Sequence, residues 1–79
     1  MGYHKGKIRK GILGTPSKIQ EELDELNDAL EQGVKILIHC ELADLYGALK
    51  LVVEDHGLTM DDVRRMSELT ASAFQEGER

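Results

Sequence analysis

Two pairs of carboxylates, Glu22 with Glu25 and Glu41 with Asp44, have the spacing in this chain best suited to chemistry. Within each pair the members stand three residues apart, which puts both on one edge of a helix. Glu41 and Asp44 sit in a stretch otherwise rich in Leu, Ile, Val and Ala, and a buried carboxylate without a positive partner is costly. Four such groups at one level resist ionisation unless a divalent cation neutralises them. Ligation by oxygen alone points to Mg²⁺, with Mn²⁺ as a substitute, hard cations that commonly bridge protein carboxylates to substrate phosphates. Charged edges beside an apolar stripe are also ordinary in coiled-coil hairpins, so spacing alone leaves a cation site and a solvated edge both open. Asp24, Asp28, Glu31, Glu54, Asp55, Asp61, Asp62, Glu68, Glu76 and Glu78 read as solvated surface charge.

The elements that must position these groups are helical. Thr15 or Ser17 can cap a first helix over 17–32, with Pro16 tolerated in its first turn and Gly33 as its stop. Ile19, Leu23, Leu26 and Leu30 recur at alternating spacings of four and three and form its apolar stripe. A second helix over 34–56 has Ile38, Leu42, Leu45, Leu49 and Val52 on one face and further apolar residues on nearly every other, so it is expected to be the buried one. Gly57 breaks it. Thr59 and Asp62 resemble a capping box with Asp in place of Glu, and Val63, Met66, Leu69, Thr70, Ala73 and Phe74 mark a third helix over 59–75, after which the tail Gln75 to Arg79 is expected to fray. The short turn at Gly33 folds the first two helices into an antiparallel hairpin. Positions whose numbers sum to about 67 then lie level, and Glu41 and Asp44 stand at nearly the height of Glu22 and Glu25. Lys18 falls between Glu22 and Glu25 in angle and is the best local contact for a phosphate.

Composition bounds the rest. The 79 residues make one domain that hides only about 60% of the surface its unfolded form exposes. The single cysteine, Cys40, excludes an internal disulfide, so a second copy of the chain or a bound metal must support the small core. A dimer or tetramer is expected. All 15 acids lie beyond residue 20, whereas Lys5, Lys7, Arg9, Lys10 and Lys18 precede it without one. The acidic body argues against a duplex nucleic acid partner. Its basic, glycine-rich arm, residues 1–14, reads either as a solvated terminus or as a segment closing over something that carries phosphate, with Lys5, Lys7 and Arg9 as further contacts. No apolar run approaches the roughly 20 residues that span a bilayer, and no signal-peptide core follows the basic start, so the expected location is cytoplasmic. His39 points away from the acidic edge and Cys40 to the back of its helix, which suits packing or interface roles. His4 and His56 show no partner at ligand spacing, and no nucleophile set can be assembled. Gly47 inside the second helix suggests close approach of another helix or of a ligand. Arg64 and Arg65 on the third helix have a phosphate contact across a subunit boundary as one reading and ordinary exposure as the other.

Glu21-Glu22-x-x-Glu25 followed by Glu41-x-x-Asp44 resembles the motif of the MazG-like, all-α nucleoside triphosphate pyrophosphohydrolases. Residues 17–23 and 41–48 look like those of the short phage-type members, and the resemblance extends over about residues 3–78. It implies a helical bundle completed by oligomerisation and Mg²⁺-dependent cleavage of a nucleoside triphosphate to monophosphate and pyrophosphate, with dGTP or GTP among the substrates in phage nucleotide-pool control. By position it makes Glu22, Glu25, Glu41 and Asp44 metal ligands and gives Glu21 a supporting or water-orienting role. The chain departs from the larger members in having the basic arm where they have a full helix, and in its short third helix. The expectation from another class is a non-catalytic helical interaction module, which has no need for acidic clusters on facing helix edges.

Overall fold

The computed structural model describes residues 4–75, except for the side chains of residues 73 and 74. Among them are three helices and no strand: α1 (Pro16–Gln32), α2 (Lys35–Asp55) and α3 (Met60–Gln75). The expected fraying beyond Gln75 and the apolar roles of Ala73 and Phe74 lie outside the described residues.

Local chemistry sets each boundary. Thr15 holds extended backbone ahead of α1 and Pro16 occupies the first turn. The Thr15 hydroxyl does not cap the helix but donates to the Ile12 carbonyl at 2.8 Å, and the Ser17 hydroxyl accepts the Ile12 N–H at 3.0 Å. Both hydroxyls therefore tie the arm to the helix start. Gly33 ends α1 in the left-handed region at φ 71°, where its N–H reaches the Ala29 and Leu30 carbonyls. At the end of α2, Gly57 (φ 75°) donates to the Glu54 carbonyl and Leu58 to that of Val53, the paired bonds of a Schellman motif. Thr59 and Asp62 then exchange bonds at 2.9 and 3.1 Å, so the expected capping box forms, and the two Thr59 donors hold the Asp62 carboxyl below its ordinary range.

The α1–α2 hairpin is the body of the molecule, while α3 meets α2 over a short stretch and does not pack on α1. Two expectations about its packing are corrected. The stripe of α1 does not point inward as a unit: Leu26 and Ala29 are buried together with Glu21 and Glu22, whereas Leu23 and Leu30 are exposed. Nor is α2 the buried helix, because Leu37, Glu41, Ala48 and Val53 face inward while Ile36, Leu42, Tyr46, Leu49 and Leu51 face out. The physical reason is the same in both helices. Two alanines and three carboxylates share the narrow seam with Leu26, Leu37 and Val53, and a single chain supplies no further layer for the large side chains outside.

The arm is not a solvated terminus over residues 4–14. It runs back along α1, with the Gly11 N–H on Glu21 (2.7 Å) and the Lys5 and Gly6 N–H groups on Asp28 (3.1 and 2.9 Å). At Gly11 the approach leaves no room for a side chain, since an added Cβ would lie 2.2 Å from the Ser17 carbonyl oxygen. Gly11→Ala is therefore expected to cost about 2 kcal/mol or more, or to lift the arm from α1. Chemical denaturation of the variant, with proteolysis of the arm as a second readout, checks this.

Candidate metal centre

The hairpin brings the two acidic edges into contact. Ligand atoms of Glu22, Glu41 and Asp44 lie within 4.8 Å of one another, and so do those of Glu21, Glu22 and Glu25 and those of His4, Glu25 and Glu41. Glu41 is at the middle, only 1% exposed. Its Oε2 accepts a hydrogen bond from His4 Nε2 at 3.0 Å, whereas its Oε1 is buried with no hydrogen-bond partner. An ionised oxygen left bare in a protein interior is costly unless a cation meets it. The donor set is hard oxygen with one imidazole, and the orphaned Oε1 gives it a vacant acceptor, so these residues fit a divalent cation. Asp44 departs from expectation in being exposed, on the open side of the cluster.

The electrostatics follow from this crowding. Burial, then the charges of Glu22 and Glu41, push the Glu25 carboxyl up to about 7. Burial likewise raises Glu22, with Asp44, Glu21 and Glu41 adding to the effect and Lys18 opposing it. Glu21 goes the other way, held low by the Gly11 N–H and by Lys18, whose Nζ stands 3.2 Å from it. That makes Glu21 an ionised anchor for the arm and for Lys18, in keeping with a supporting role. Because the folded protein keeps a proton on Glu25 that the unfolded chain releases between about pH 4.5 and 7, stability without metal falls as pH rises through that window. Allowing for solvent screening, the loss is about 1–3 kcal/mol. Glu21 and Asp28, with lowered values, lose their contributions only in stronger acid. Thermal unfolding in chelator should give a higher midpoint at pH 5.5 than at pH 8, and Glu25→Gln should flatten the difference.

Lys18 reaches the cluster as expected. It lines a cleft of about 470 Å³ with Glu22, Glu25, Asp44, Gly47 and Leu51, open to solvent beside the carboxylates. Gly47 contributes to this wall, and apart from its neighbours in sequence and the backbone of its own helix no described atom lies within 4 Å of where its Cβ would be. The close approach expected there is thus not made within one chain. The Lys5, Lys7 and Arg9 side chains are exposed, and Arg9 lines a different cleft with Lys10, Gln20 and Asp24. Arg64 and Arg65 are engaged on their own helix by Asp61, with Arg64 also bound to Glu68. His39 and Cys40 are exposed. A groove of about 570 Å³ between α2 and α3 is walled by Tyr46, Leu49, Met60 and Val63 and includes none of the clustered carboxylates.

Two residues that sequence reasoning set aside belong to the site. His4 has carboxylates at 3.0 and 3.3 Å from Nε2, and Asp28, read as solvated, holds the arm through two backbone N–H groups and accepts from Gln32 as well. Those donors, Gly6 first, then Gln32, keep the Asp28 carboxyl low. A signal for Asp28 existed in the run Glu21, Glu25, Asp28, Gln32, which continues the acidic edge at helical spacing. His4 had none, because its contacts are made across 21 and 37 residues of chain by a segment without regular structure. Compared with protein-family models, curated proteins and solved structures, the chain matches none of them.

Proposed function

We propose that the chain is a MazG-like nucleoside triphosphate pyrophosphohydrolase that works with Mg²⁺ or Mn²⁺. The observation that carries the reading is Glu41, fully buried between Glu22, Glu25 and Asp44 with one oxygen unpartnered. Glu22, Glu25, Glu41 and Asp44 are the residues that would hold the ion. A bound divalent cation supplies charge to the phosphoryl oxygens and lowers the pKa of the attacking water. Glu21 fixes Lys18 at the mouth of the cleft, where the ammonium neutralises a phosphate of the substrate. Water adds across the bond between the α and β phosphates, which breaks to leave monophosphate and pyrophosphate. The open cleft beside Gly47 accommodates the nucleotide.

Self-assembly belongs to the same reading. Many large apolar side chains of the hairpin, among them Leu23, Leu30, Leu42 and Leu49, lie outside its seam, which suits a bundle completed by a second copy as a dimer or tetramer. No helix among the described residues is long and apolar enough to cross a membrane.

Incubation of the purified protein with Mg²⁺ and each common ribo- and deoxyribonucleoside triphosphate, with products separated by chromatography, tests the proposal. Monophosphate formed from one or a few of them, dGTP or GTP included, is the expected result. No turnover of any, from an assembled and folded protein, leaves the non-catalytic interaction module in its place.

A further inference from the structure

We propose that His4 is a nitrogen ligand of the cation site, so that the site prefers transition-metal divalent ions such as Mn²⁺ over Mg²⁺. The inference rests on the reading of the carboxylate cluster as a cation site. His4 Nε2 lies 3.0 Å from Glu41 Oε2 and 3.3 Å from Glu25 Oε2, with the imidazole only 9% exposed. The other ring nitrogen faces Asp28 Oδ1 at 3.8 Å, the side from which a carboxylate orients a metal-bound histidine. The other Glu41 oxygen, Oε1, is buried without a hydrogen-bond partner, the independent sign that this carboxylate keeps an acceptor open to a cation.

The placement is built. The arm is clipped just beyond the histidine, where the Lys5 and Gly6 N–H groups both bind Asp28, and again where Gly11 binds Glu21. The second clip depends on a residue without a side chain, as the Gly11 approach to Ser17 requires. A solvated terminus would gain nothing from delivering an imidazole to the least exposed of the described carboxylates. Imidazole suits Mn²⁺, Co²⁺ and Zn²⁺ better than Mg²⁺, which favours oxygen ligands and keeps its waters. One imidazole among carboxylates therefore shifts the preference of the site without excluding Mg²⁺ from the oxygens of Glu22, Glu41 and Asp44.

Isothermal titration of the full chain, without nucleotide, tests this with MnCl₂ and MgCl₂ separately at about pH 8, above the ordinary imidazole range. The proteins are wild type, His4→Ala, His4→Gln and, as a control, His39→Ala on the exposed surface of α2. Wild type should bind Mn²⁺ more tightly than Mg²⁺, and both His4 variants should lose about tenfold or more in Mn²⁺ affinity with Mg²⁺ affinity held within about threefold. His39→Ala should match wild type. Equal losses for the two ions would make His4 a structural residue, and unchanged or tighter Mn²⁺ binding would make it a bystander or a competitor; each overturns the proposal while leaving the cation site intact. Wild-type protein that binds neither ion overturns the cation site itself, and the proposal with it.

Discussion

Glu41→Gln is expected to lower cation-dependent turnover by about a hundredfold or more while leaving the metal-free protein as stable as before or more so. The two effects have one cause. Glu41 is the least exposed of the described carboxylates and shares its surroundings with Glu22, Glu25 and Asp44, so the substitution relieves crowding of carboxylates when no cation is bound and removes a ligand when one is. The glutamine oxygen still accepts the His4 bond, while one negative charge leaves the cluster. Steady-state rates with Mg²⁺, alongside melting in chelator, separate this from a loss of fold. A variant that loses activity because it unfolds would melt lower. Glu22→Gln should behave similarly, and unchanged turnover in both would remove the metal from the account. Asp24→Asn, which keeps an oxygen to accept from Gln20, is the control and should stay within about 0.5 kcal/mol of wild type.

Removing residues 1–10 should have the second largest effect, raising KM and lowering kcat together. The deletion takes His4 from Glu25 and Glu41, and it takes two N–H donors from Asp28. Contacts to charged groups of this kind are worth roughly 1.5–3 kcal/mol each, so both the metal-free stability and the transition state should suffer. The exposed Lys5, Lys7 and Arg9 side chains add positive charge near the site, and neutralising these three alone should change KM more than kcat. Melting and kinetics of the truncated chain check the prediction. Both constants within about twofold of wild type would reduce the arm to a tether without a catalytic part.

The course of the chain was legible because local rules decide it. Helices expected over 17–32, 34–56 and 59–75 appear within a residue or so of those bounds, since Pro16, Gly33, Gly57 and the Thr59–Asp62 box act within a turn of where they stand. The level of the site was legible too: a tight turn at Gly33 sets the register that puts Glu41 and Asp44 beside Glu22. Rotation of the helices about their axes was not. Apolar periodicity assumes that the largest side chains turn inward, whereas here Ala29 and Ala48 do so and Leu30 and Leu42 do not. The position of His4 was illegible for a related reason, because the arm has no period and its partners are chosen by backbone N–H groups, which every residue but proline carries.

The most direct measurement is ³¹P NMR of one accepted nucleoside triphosphate incubated with the protein and Mg²⁺, first with chelator and then with the ion in excess. The account predicts no change in chelator and, once the ion is free, equimolar monophosphate and pyrophosphate, with both signals absent for Glu41→Gln. Release of orthophosphate with a nucleoside diphosphate, or the same rate in chelator, would contradict it.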